Sequence, residues 1–96
     1  MNNYDLCDEY FTKYALCENF RDYNNLLKEI IEDIKKDRLK LVAGNVFYKC
    51  FESINTLYQF HIIDSTLYDD LCYNLISDIT DDIERYMKMK EGEKHE

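Results

Sequence analysis

The chain has 96 residues, 46% of them hydrophobic and 15% aromatic, and carries a formal net charge of −8 from 20 acids and 12 bases. One domain is expected, with a thin core, little room for an enclosed substrate pocket, and too much apolar content for a disordered chain. The acid excess argues against direct nucleic-acid binding, which needs Lys and Arg for phosphate, and against an anionic membrane surface; a protein partner with a basic surface is the natural complement.

Proline is absent and glycine occurs twice, which disfavours a turn-rich all-β domain and suits a few long helices. Over residues 3–20, Cys7, Tyr10, Phe11, Tyr14, Cys17 and Phe20 recur at steps of three and four. That spacing predicts a first helix with an aromatic stripe, capped by Asn2 or Asn3. Asp22 is placed to cap a second helix, with Tyr23, Leu27, Ile30, Ile31 and Ile34 on one side and Glu29, Glu32, Asp33 and Lys36 on the other. Its end has two readings: a stop near Lys36, or continuation to Gly44 with Asn45 capping the next helix. Gly-Asn between two apolar runs favours the second.

A third helix over 46–60 is expected to bury Val46, Phe47, Cys50, Phe51, Ile54, Leu57 and Tyr58. In the fourth, Tyr68, Leu71, Cys72, Leu75, Ile76, Ile79, Ile83, Tyr86 and Met87 follow the helical period without a break. The expected fold is all-α: a small four-helix bundle with a C-terminal antiparallel αα-hairpin, formed by residues 1–90, and a disordered polar tail over 91–96.

Between the last two stripes lies FHIIDSTLYDD, residues 60–70. Its histidine and three aspartates invite a metal or catalytic reading, but each residue has a local duty. Asp64 suits an N-cap, with Ile63 and Tyr68 placed as a hydrophobic staple, and His61 falls at the end of the third helix, where the dipole favours a cation. The glycine-centred calcium loop and the H-E-x-x-H zinc motif are missing. No metal or cofactor is expected.

Two carboxylate triads, Glu29, Glu32, Asp33 and Asp78, Asp81, Asp82, repeat i, i+3, i+4 on two helices. All-helical nucleotide pyrophosphohydrolases hold magnesium with E-x-x-E and E-x-x-D pairs, so a Mg-dependent hydrolase of that kind is one alternative. Here the triads are about forty-five residues apart and both are expected to face outward, which suits solvated faces better. Nucleophilic catalysis finds no elbow or phosphate loop, and His95 falls in the tail. A dyad of His61 with Cys50 or Cys72 competes with a core role for both cysteines. No catalytic residue is expected. The four cysteines, at 7, 17, 50 and 72, form no C-x-x-C pair, and the opening MNNYDLCDEY lacks the basic and apolar regions of a signal peptide. Reduced thiols and a cytoplasmic location are the expectation.

Charge pattern is more informative than any motif. From Asp64 to Glu84 there are seven acids and no base, whereas Lys35, Lys36, Arg38 and Lys40 face one acid, Asp37. An acidic ridge on the fourth helix can imitate a run of phosphates and compete for a cationic groove. Asp69, Asp70, Asp78, Asp81, Asp82 and Glu84 are the expected contacts, with Tyr48 and Tyr73 as aromatic anchors. The usage of Asn, Ile, Lys, Tyr and Asp resembles that of proteins from AT-rich genomes, such as low-GC bacteria and their phages or plasmids. The leading expectation is a non-catalytic, phage- or mobile-element-encoded inhibitor that occupies the basic site of a nucleic-acid-handling host defence protein. A dimerising structural or regulatory subunit, packing its aromatic first helix across a two-fold axis, is the other alternative.

Overall fold

The computed structural model describes residues 2–94 and contains four helices, α1 (Asn3–Ala15), α2 (Phe20–Lys35), α3 (Gly44–Gln59) and α4 (Ser65–Lys94). Among the described residues there is no strand. The chain is all-α, and its helix contacts are those of a small four-helix bundle. Residues 95 and 96 of the expected polar tail, His95 included, lie outside the described residues.

α4 forms the centre. It packs against each of the other helices; α2 also touches α1 and α3, while α1 and α3 do not meet. The reason is in its side chains. Cys72, Ile76, Ile79 and Ile83 are fully buried and Leu75 nearly so, with Tyr68, Leu71, Tyr86 and Met87 half-buried at the margins. Steps of three and four align these on one face of a helix. Facing them are Leu26, Leu27, Ile30 and Ile31 of α2, Cys7 and Tyr10 of α1, and Phe47 and Phe51 of α3. Thr80 is buried among them, and its hydroxyl donates to the Ser77 carbonyl at 2.9 Å, so no polar atom is orphaned there.

The helix ends depart from expectation in instructive ways. α1 stops at Ala15 and leaves Leu16 and Phe20 exposed. Its cap is Asn2, whose Oδ1 accepts from the Asp5 N–H at 2.8 Å. The cap of α2 is Asn19 rather than Asp22. Asn19 Oδ1 accepts from the Asp22 N–H at 2.9 Å, and the Asp22 carboxylate accepts from the Glu18 N–H at 3.1 Å. Asp22 thus sits inside the first turn, where its charge suits the dipole.

α2 does not reach Gly44. Arg38 N–H donates to the Asp33 carbonyl at 2.8 Å and Asp37 N–H to the Ile34 carbonyl at 3.1 Å, with Asp37 at φ 59°. This is a Schellman motif built on aspartate instead of glycine. The chain then turns back and sinks Leu39, 2% exposed, into the core. Gly44 opens α3 rather than closing α2, and a β-carbon there would stand 3.3 Å from Ile34 Cγ2, a tight contact. With α1 out of reach, α3 is covered only by α2 and α4. Phe47 and Phe51 are buried, but Val46, Cys50 and Tyr58, expected on the buried stripe, are exposed. Cys50 is therefore not a core residue as expected, whereas Cys72 is; all four cysteines are free.

The stretch FHIIDSTLYDD is one stop followed by one start. His61 N–H donates to the Tyr58 carbonyl at 3.1 Å and Ile62 N–H to the Leu57 carbonyl at 2.9 Å, with His61 at φ 60°. His61 lies just beyond α3, not in its last turn. Asp64 Oδ1 then accepts from the Leu67 N–H at 2.8 Å and caps α4. A left-handed residue with a β-carbon costs about 1–2 kcal/mol, and the looser unfolded chain of a glycine returns roughly 0.5–1. His61→Gly is expected to stabilise the fold by about 0.5–1 kcal/mol in urea unfolding. A loss of stability would instead mean that the imidazole holds a contact of its own.

Candidate functional site

α4 carries the acidic face. Measured from its buried stripe at about 100° per residue, Asp70, Asp78 and Asp81 fall within about 80° of one another on the outward side. All three are exposed, and among the described residues none of their carboxylates forms an ion pair or hydrogen bond. The other three expected contacts are engaged within the chain. Asp69 accepts from Asn24 Nδ2 of α2 at 3.0 Å. Asp82 pairs with Arg85 and is 20% exposed, and Glu84 pairs with Lys88 at 3.4 Å. Asp64 is spent as a cap. The ridge expected from the sequence therefore narrows to three outward carboxylates that span about 16 Å of helix.

The two tyrosines differ. Tyr73 keeps 37% of its surface exposed while meeting Phe20 and Tyr23 edge-on, at 6.0 and 5.0 Å between ring centres. Tyr14 closes the cluster against Tyr23 at 5.4 Å. These tilted and edge-on arrangements suit the ring quadrupoles and fix Tyr73 with one edge outward. Tyr48 does not stand free on the polar side of α3. It is half-buried against the core, and the Glu52 carboxylate, accepting its hydroxyl proton, holds its pKa up.

The carboxylate triads part company as well. Glu29 is exposed and reaches Lys13 at 3.8 Å, and Glu32 pairs with Lys36 at 3.1 Å. Asp33, expected outward, turns inward instead. It accepts the hydroxyl of buried Tyr10 and meets Arg38 at 3.5 Å. A phenol buried at 4% exposure needs a partner, and it has two acceptors, the Asp33 carboxylate and, at 3.4 Å, the Glu29 carbonyl. Burial, reinforced by Asp33, drives the Tyr10 pKa far up. Among the described residues no group of three or more His, Cys, Asp or Glu is arranged to hold a metal ion. No helix among them is long and apolar enough to cross a membrane.

A half-open groove of about 440 Å³ lies between the α2–α3 connection and the last turns of α4. Lys40, Leu41, Val42 and Ala43 line one wall; Asp82, Arg85, Tyr86, Met89 and Lys90 line the other. The walls are some forty residues apart in sequence and meet only on folding. The one local signal is Met89, apolar but one step off the stripe that ends at Met87. Compared with protein-family models, with curated proteins and with solved structures, the chain matches none.

Proposed function

We propose that the chain is a non-catalytic protein-binding module that lays the acidic face of α4 on the cationic site of a nucleic-acid-handling protein and inhibits it by occupation. The observation that supports this most is the unpaired state of Asp70, Asp78 and Asp81 on the outward side of a rigid helix. Fixed carboxylates in a row present charge to a partner without the entropy cost of ordering a loop. Tyr73 beside them, already ordered by Phe20 and Tyr23, offers a rigid aromatic edge. A composition like that of AT-rich genomes fits a phage or mobile element as source and a host defence protein as target.

The test is a comparison of two affinity columns, one bearing the chain and one bearing its D70N/D78N/D81N variant, loaded with extract of the native cell. Nucleic-acid-binding proteins should be retained on the first, be displaced by duplex DNA, and elute as salt rises from about 0.1 to 0.5 M. The variant should retain them at least about tenfold less. Equal retention on both columns, or retention indifferent to DNA and salt, overturns the proposal.

A further inference from the structure

We infer that α3 is a self-association face: two copies of the chain pack their α3 helices antiparallel across a two-fold axis near Ser53, forming a weak, reversible dimer. The mass of the pure chain reads this interface without any partner of the acidic face, so the two can fail separately.

Exposure points to α3. Val46, Cys50, Ser53, Leu57 and Phe60 recur at steps of four and three, which aligns them within about 80° on one flank of the helix. Such alternating steps are those of a seam that meets another helix. Yet α1 and α3 do not meet, and among the described residues no helix covers this flank. Val46 is 60% exposed and Phe60 68%, Cys50 and Ser53 are exposed, and Leu57 is half-buried. The aromatic stripe of α1 is turned to the core instead, with Tyr10 buried and Phe11 and Tyr14 half-buried.

Charge names the occupant. On a chain of −8, α3 holds one base, Lys49, and one acid, Glu52. Residues 32–49 gather at its N-terminal half, where Gly44 meets Ile34. They count five bases and three acids, hence +2, with the carboxylates that pair Lys36 and Arg38 already included. Residues 50–70 gather at its C-terminal half, where Tyr68 donates to Asn55 at 2.8 Å. With the histidine neutral they count four acids and no base, hence −4. A parallel pair would set like on like. An antiparallel pair sets the positive end of each copy on the negative end of the other. The first turn of α3 also has neither an acid nor a side-chain cap, and an antiparallel neighbour brings a carbonyl end towards it.

Shape and size agree. A two-fold axis at Ser53 puts the small side chains of Cys50 and Ser53 at the crossing and sets Phe60 of one copy near Val46 of the other. The sixteen residues of α3 run about 24 Å. One helix seam of that length buries on the order of 1,000 Å² in all, the low end of specific interfaces, so dissociation at tens of micromolar is expected.

Sedimentation equilibrium of the full chain from about 5 to 500 µM should show the mean mass rising from 11.7 kDa towards twice that value. Val46→Glu and Phe60→Ser each change an exposed side chain and should weaken association at least tenfold, with the melting curve of the dilute protein unmoved. Leu16→Ser, an exposed apolar residue outside α3, should leave association as it is. In a Cys50→Ser background, which serves as the blank, Ser53→Cys should give a disulfide-linked dimer under diamide, which takes up the two hydrogens of the thiol pair. Phe60→Cys in the same background should not, because its two copies lie about 21 Å apart along the helices. A mass fixed at 11.7 kDa throughout, association untouched by Val46→Glu, or an equal loss with Leu16→Ser overturns the inference. So does crosslinking at position 60 as complete as at 53.

Discussion

Ile79→Ala should cost about 3 kcal/mol, near a third of what a 96-residue domain has to lose, at roughly 0.05–0.15 kcal/mol per residue. Ile79 is fully buried in the middle of α4, the helix that touches all the others. Three carbons removed there leave a cavity that neighbouring helices cannot collapse upon without breaking other contacts. Alanine's better helix propensity returns only about 0.4 kcal/mol. Melting should fall by about 12–24 °C, taking roughly 4–8 °C per kcal/mol for a domain of this size. Ile62→Ala is the internal control. That side chain is 68% exposed in the α3–α4 connection, and its removal should stay within about 0.5 kcal/mol. Equal losses for the two variants in urea unfolding would mean that the stripe on α4 is not the core.

Alkali should destabilise the protein steeply between about pH 9 and 11. Burial pushes the Cys7 thiol from its ordinary value of 9.0 to about 11, and the side chain is fully buried. Between those values the unfolded chain has released this proton while the folded chain keeps it. Fewer protons on the unfolded state means that stability falls as pH rises. The contribution is whole below pH 9 and gone by about pH 11; at 1.36 kcal/mol per unit this amounts to about 3 kcal/mol. Tyr68, held up to about 12 chiefly by burial, and Tyr10, held higher still, extend the decline beyond pH 10. Urea midpoints at pH 8, 9, 10 and 11 should show a plateau and then a steep fall. Cys7→Ala carries a constant packing loss but should flatten the limb between 9 and 11. An unchanged limb would assign the decline to the other buried groups, Cys72 and the tyrosines.

The parts legible in the sequence were those in which neighbours along the chain decide the outcome. The stripe from Tyr68 to Met87 needs only helical spacing, and it is buried as expected. Asp64 needs only the N–H groups of the next turn, and it caps α4. What escaped depends on distant residues or on strained backbone. Asp37 and His61 end helices in the left-handed region that glycine usually fills, so the glycine at 44 looked like the better terminator. It instead starts α3, packed closely on Ile34, ten positions back. Cys50 and Cys72 share the same kind of stripe, yet only Cys72 faces a neighbour on every side. The acidic run reads the same way. Composition shows seven carboxylates, and only tertiary contact shows that Asn24 engages Asp69. The groove was illegible because Val42 and Met89 belong to walls that folding brings together.

Because α1 and α3 never touch, and each leans on α4, the order of synthesis matters. A nascent chain that has delivered the first three helices holds Leu27, Ile30, Phe47 and Phe51 partly in water until the fourth arrives. Only with α4 in place can the bundle close, Tyr4 donating to Glu91 across 87 positions of chain. Folding thus waits on α4 and includes the closure of contacts far apart along the chain. Until α4 arrives, the three earlier helices are the window in which a chaperone or a protease would find this protein.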